Sequence, residues 1–261
     1  MITTHAIRRV TIPVGNPTLY GDLSWPIAPG RVHGLAVVAH ANSGSRLNPR
    51  NQAFAAALNG AGLATLLTDL LTTDEDQWEA SAVKVRYDIS LLTTRLHTVV
   101  DRLARLEIEV AALPVAVIGT GTTAAAALRA AAELGAAAEL SARGGDSDGA
   151  GAENTAPPRS GHIDAVVCRS GRPDLAADVL GALGVPALHL VAEHDQEARE
   201  LHRRALAAGG GDLCEVPGHA DLVDDPVGVQ AGAQLAAAWL VTHLDPEHDP
   251  APAAAPAPTR V

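Results

Sequence analysis

Val115-Ala116-Val117-Ile118-Gly119-Thr120-Gly121-Thr122-Thr123 is the stretch that decides the fold. Four apolar residues suit a buried strand, a glycine-bearing turn follows, and from about Thr123 to Glu133 the chain becomes Ala-rich and helical. The same grammar repeats on either side. Upstream, Gly34-Leu35-Ala36-Val37-Val38-Ala39-His40 is another continuous apolar run, as a strand covered on both faces requires. A Ser/Asn/Gly loop leads from it into a helix over residues 51–59, stopped by Gly60, and a buried strand over residues 64–68. Val85, Ile89, Leu92, Leu96, Val99, Val100 and Leu103 recur at helical spacing and mark a long amphipathic helix before Val115. Downstream, residues 163–168, 186–192 and 212–216 read as strands, with helices centred near residues 174–183 and 196–208 and a last helix over residues 229–242.

At the start of the chain, residues 7–13 alternate as an edge strand does, and residues 19–25 can pair with them through the Gly15-Asn16-Pro17 turn. Strands alternating with helices over this length predict the α/β class, as a doubly wound, mainly parallel sheet with an N-terminal β-hairpin. The predicted organisation is one domain over residues 1–244. Residues 141–161, rich in Gly, Ser and Asp, are expected to form a flexible insertion, and the Pro/Ala-rich residues 245–261 a disordered tail.

Composition narrows the partners. The 261 residues carry a formal net charge of −11 and a single lysine, Lys84, which argues against binding nucleic acid or an anionic membrane. A small-molecule ligand or a protein partner remains, and nothing in the sequence asks for a cofactor. Aromatic residues are scarce, so the core has to be built from Ala, Leu and Val. Cys168 and Cys214 fall within strands without metal-type spacing and read as buried, reduced thiols. No basic, apolar-cored leader opens the chain and no apolar run approaches the ~20 residues of a membrane span, so a cytoplasmic protein is expected.

Several segments together carry a family resemblance. They are His40-Ala41-Asn42-Ser43-Gly44-Ser45-Arg46 with Asn48-Pro49-Arg50-Asn51, and Ala61-Gly62-Leu63-Ala64-Thr65-Leu66-Leu67-Thr68-Asp69-Leu70-Leu71-Thr72. Ser170-Gly171-Arg172-Pro173-Asp174-Leu175, Pro217-Gly218 and Asp224-Asp225-Pro226 complete the set. With them the chain resembles the dienelactone-hydrolase-like branch of the α/β-hydrolases, including the type often fused to phosphoribosyltransferases. The resemblance covers about residues 7–244 apart from the insertion.

The resemblance implies a catalytic triad in the order Ser, Asp, His. The nucleophile belongs in a Gly-x-Ser-x-Gly turn, where this sequence has Gly121 in the Ser place and Thr123 in that of the closing Gly. The acid belongs after the penultimate strand, where Asp195 stands. The base belongs in a Pro-Gly-x-x-His-Leu segment, which here reads Pro217-Gly218-His219-Ala220-Asp221-Leu222, with Asp221 in the His place and His219 two residues earlier. Asp195 and His219 are therefore the candidate catalytic residues, with Gly121 and Asp221 marking vacated positions.

The oxyanion site of the fold is made by backbone N–H groups, which Ala41 or Asn42 and Thr122 can still supply at the start of a helix. Arg46, Arg50, Arg169 and Arg172 sit in the matched loops and are candidates to pair with an acidic ligand. The leading expectation is a family member with a degenerate triad, non-catalytic or severely weakened, keeping a ligand pocket or an interaction role. The alternative is an active ester, thioester or lactone hydrolase with relocated groups, Thr122 or Ser43 as nucleophile and His219 as base. A metal-assisted variant through Asp195, His219 and Asp221 is the third reading.

Overall fold

The computed structural model describes residues 7–15, 17–26, 30–77, 84–106, 110–144, 161–209 and 211–245. Eight strands form one sheet: β1 (Ile7–Pro13), β2 (Thr18–Ser24), β3 (Gly34–His40), β4 (Leu63–Asp69), β5 (Val115–Gly119), β6 (Ala165–Arg169), β7 (Ala187–Ala192) and β8 (Asp212–Val216). Their order across the sheet is β1-β2-β4-β3-β5-β6-β7-β8. β1 pairs with β2 and β2 with β4 antiparallel, and every later pairing is parallel. This is the predicted hairpin on a parallel sheet.

Five helices of some length cover the sheet: α1 (Pro49–Gly60), α2 (Ile89–Leu106), α3 (Thr122–Gly144), α4 (Gln196–Gly209) and α5 (Pro226–Leu244). The strands explain the two layers. Along β3, Leu35, Val37 and Ala39 face a cluster that includes α2 and α3, while Ala36 and Val38 face one that includes Phe54 and Leu58 of α1 and Leu240 of α5. A continuous apolar run thus serves both faces because side chains alternate. On α3, Ala124 to Ala127, Ala130 and Ala131 are buried, so small side chains bring this helix close to the sheet.

Three expectations are corrected by the fold. The helix foreseen near residues 174–183 is instead a pair of 3-10 turns, Pro173–Ala176 and Leu180–Ala182. Their bonds run from Ala177 N–H to Asp174 O and from Ala182 N–H to Val179 O, three residues back rather than four. Helix α3 continues to Gly144, inside the segment expected to begin an insertion at residue 141. Cys168 is buried but Cys214 is only half-buried, on the edge strand β8. Residues 145–160 and the tail from residue 246 lie outside the described residues. No described helix is long and apolar enough to cross a membrane.

Because β3 and β5 to β8 all run the same way, the loops at their C-terminal ends gather along one edge of the sheet. That edge is where ligands bind in open α/β sheets, and every candidate residue lies on it.

Candidate functional site

At the end of β5 the chain turns through Thr120 and Gly121, and α3 begins at Thr122. Gly121 has φ +62°, in the left-handed region, and a Cβ built on it meets no atom within 4 Å. Behind it the packing is tight. Gly171, at φ +90°, approaches so closely that a Cβ there would lie 2.4 Å from the Gly121 nitrogen, and the Arg172 N–H donates to Gly121 O at 3.0 Å. The loop after β6 therefore braces the Gly121 backbone while its other side is open.

The threonines of the turn are committed to structure. The Thr123 hydroxyl accepts from the Thr120 N–H at 2.8 Å and shares its proton between Ala39 O at 2.8 Å and Thr120 O at 2.7 Å. Thr123 thereby ties the start of α3 to β3. The Thr122 hydroxyl donates to Arg86 O at 2.7 Å.

In front of Gly121 lies a cleft of about 410 Å³. His40, Ala41, Asn42, Thr120 and Thr122 border it, as do Arg86, Tyr87 and Asp224. The three residues expected to supply backbone donors, Ala41, Asn42 and Thr122, are thus brought together, and their N–H groups donate to no acceptor among the described residues. His40 is 7% exposed, and its ring lies against the Asn51 side chain and the Thr68 backbone without a hydrogen bond of good geometry at either nitrogen. Burial, reinforced by the Arg169 guanidinium, pushes His40 down to about 4, so its ring is neutral at pH 7. The Thr120 hydroxyl is likewise buried without a partner.

The expected catalytic pair does not assemble. Asp195 caps α4, its carboxylate accepting from the Ala198 N–H at 2.9 Å. The His219 ring lies 3.2 Å from Asp225, itself the cap of α5, and His219 does not border the cleft. The two loops join elsewhere, His194 N–H donating to His219 O at 2.9 Å and Gly218 N–H to the Glu193 carboxylate at 2.8 Å. Asp221 folds onto its own loop, accepting from Val223 N–H at 2.5 Å and Asp224 N–H at 3.1 Å.

The relocated nucleophiles are no nearer to a base. Ser43 donates its hydroxyl and backbone N–H to Asp76, and Thr122 is engaged as above. Among the described residues no hydroxyl or thiol lies within hydrogen-bond distance of an imidazole nitrogen, and no three His, Cys, Asp or Glu side chains converge on a point that suits a metal ion.

Of the four arginines singled out, three are paired with carboxylates. Arg46 bridges Asp22 and Asp69, Arg50 pairs with Asp224, and Arg172 grips Asp174 with two nitrogens. Arg169 is fully buried, stacked 4.3 Å over Phe54 and donating to Asn51 at 3.2 Å, while its Nε and Nη1 reach no partner. Burial lowers it to about 10 against the pull of Asp221 and Asp224, so it stays charged at pH 7. Asn51 also borders the cleft, which places this cation just behind the cleft wall. Arg86 was not foreseen: it borders the cleft and pairs with Asp76. It follows Val85 at the start of the apolar helical pattern, where no motif marks it.

The fold is shared with enzymes of known structure. A dienelactone hydrolase from Anabaena variabilis is 32% identical, matching 92% of this chain and 99% of its own length at a TM-score of 0.74. The chain belongs to the dienelactone-hydrolase-like α/β-hydrolases. More distant members of the fold include the esterase domain of a Rhodothermus marinus protein, at 15% identity and a TM-score of 0.62. Two curated Mycobacterium tuberculosis proteins named "Putative phosphoribosyl transferase" are 38% identical over 237 residues, 90% of this chain. That match takes in 46% of their length, so this dienelactone-hydrolase-like chain spans about half of those relatives. No protein-family model matches the chain.

Proposed function

We propose that this chain is a non-catalytic or severely weakened dienelactone-hydrolase-like protein that binds a small molecule in the cleft before Gly121. The observation that carries the reading is the open space at Gly121, at the nucleophile's place, facing a cleft of about 410 Å³. Ester hydrolysis in this fold needs a nucleophile activated by an imidazole that is itself oriented by a carboxylate. Supporting the reading, the Asp195 and His219 side chains serve as a helix cap and a cap's partner, and the hydroxyls of Ser43 and Thr122 are held by Asp76 and a backbone carbonyl. Binding needs only backbone donors and a cleft, and the lining of the cleft by Ala41, Asn42 and Thr122 supports the reading.

The test is turnover of a short-chain activated ester by the purified chain. The reading predicts a rate no higher than that of the buffer with an unrelated protein. Turnover that disappears in His219→Ala would overturn it and assign the chain to the working hydrolases with relocated groups.

A further inference from the structure

The groups around the cleft specify what it takes. The N–H groups of Ala41, Asn42 and Thr122 have no internal acceptor, and Thr122 opens a 23-residue helix whose N-terminus favours negative charge. Independently, His40 is more than nine-tenths buried and borders the cleft, its ring lying against the Asn51 side chain and the Thr68 backbone without completing a hydrogen bond of good geometry at either nitrogen. The hydroxyl oxygen of the half-buried Thr120 is itself inaccessible and reaches no partner. Unpartnered buried polar atoms are costly and few in native proteins, and several at one place call for a ligand or water that completes them. Here five groups able to donate belong to residues that border the cleft, and the Arg169 guanidinium, with two partnerless nitrogens of its own, is charged just behind Asn51 of the lining. The carboxylate bordering the cleft, Asp224, is solvent-exposed and paired with Arg50. A donor-rich wall backed by a cation selects an anion.

The shape of the wall narrows the choice. In this fold the backbone at the head of α3 and after β3 surrounds a tetrahedral centre, one of whose oxygens comes from the nucleophile. With glycine at 121 that oxygen is missing and its space is empty. A phosphate group brings its own oxygens in tetrahedral arrangement, and three terminal oxygens satisfy more donors than the two of a carboxylate. We propose that the cleft binds a small phosphate monoester, one phosphate oxygen filling the space above Gly121 and its organic part occupying the rest of the cleft. This rests on the binding role proposed above and adds the ligand class to it.

Calorimetric titration of the whole chain with phenyl phosphate, inorganic phosphate and benzoate tests it, with ester turnover measured on the same sample. Phenyl phosphate should bind once per chain, inorganic phosphate should compete, and benzoate should bind at least roughly tenfold more weakly. Asn42→Asp, an isosteric change at an exposed position, and Gly121→Asp each add a negative charge to the cleft and should weaken phenyl phosphate by about tenfold or more. Gln234→Glu, the same charge change on the exposed side of α5, should leave the affinity as it was. Circular dichroism of each variant reports folding, and Asn42→Asp carries the test if Gly121→Asp does not fold. Tight benzoate with no phosphate binding overturns the ligand class and leaves the binding role standing. Phenyl phosphate binding that ignores both cleft variants puts the site elsewhere, and no binding at all overturns the inference. Ester turnover lost in His219→Ala overturns the non-catalytic reading whatever the titration shows.

Discussion

Residue 121 is free to take a side chain where its neighbour across the turn is not. A Cβ on Gly121 enters open space, and the cost of an L residue at φ +62° is ~1 kcal/mol. Gly121→Ser should therefore fold, with an unfolding midpoint in urea only slightly below the native one. Gly171→Ala faces the opposite situation, because its Cβ would press 2.4 Å from the Gly121 nitrogen, an atom with nowhere to go. A loss on the order of 3 kcal/mol is expected there by the same measurement. Equal effects from the two substitutions would contradict the account of an open front and a braced back. The place of Gly121 in the turn between β5 and α3 was legible in the sequence, because an apolar run, a glycine-bearing turn and an Ala-rich helix follow one another there. The directions of the His219 and Asp195 side chains were not, since they depend on what the rest of the loop bonds to: Asp225 meets the ring and the start of α4 takes the carboxylate.

Among the elements, the α3 helix start matters most to the site, and one side chain holds it there. Thr123 satisfies the Thr120 N–H and reaches Ala39 O on β3 from a fully buried position. Thr123→Val keeps the shape and removes those bonds, leaving a buried N–H unpaired, so a loss of ~2 kcal/mol is expected in chemical denaturation. A change under ~0.5 kcal/mol would mean that water replaces the hydroxyl and the turn is not held by it. The strands β3 to β7 could be found from sequence because nearly continuous apolar runs have few other uses. The 3-10 pieces after β6 could not, since Leu175, Val179 and Leu183 repeat at helical spacing although the chain closes by three-residue bonds. Apolar spacing reports which side is buried and does not report how tightly the backbone winds.

The molecule as a whole should lose stability in mild acid. His40 is held at about 4 against an ordinary 6.5, and burial pushes His189 and His202, whose rings meet at 3.0 Å, down as well. Each binds fewer protons folded than unfolded, so its contribution is full above 6.5 and is lost as pH falls toward the folded value. Asp69, raised to about 6 by burial, acts with the opposite sign and gains between 6 and its ordinary 3.8. Three groups against one predict a lower urea midpoint at pH 5 than at pH 7, and an unchanged or higher midpoint would contradict the buried, neutral histidines. None of this was legible from the sequence, where these histidines look like any others, because burial is set by the assembled sheet and helices. The central claim is that an intact scaffold surrounds a vacated reaction centre. Intact mass after incubation with a fluorophosphonate tests it most directly, on the native chain and on the Gly121→Ser, Asp221→His double variant. The account predicts no adduct on the native chain and a single adduct on the variant, at position 121. An adduct on the native chain at Thr122, Ser43 or another hydroxyl would contradict it.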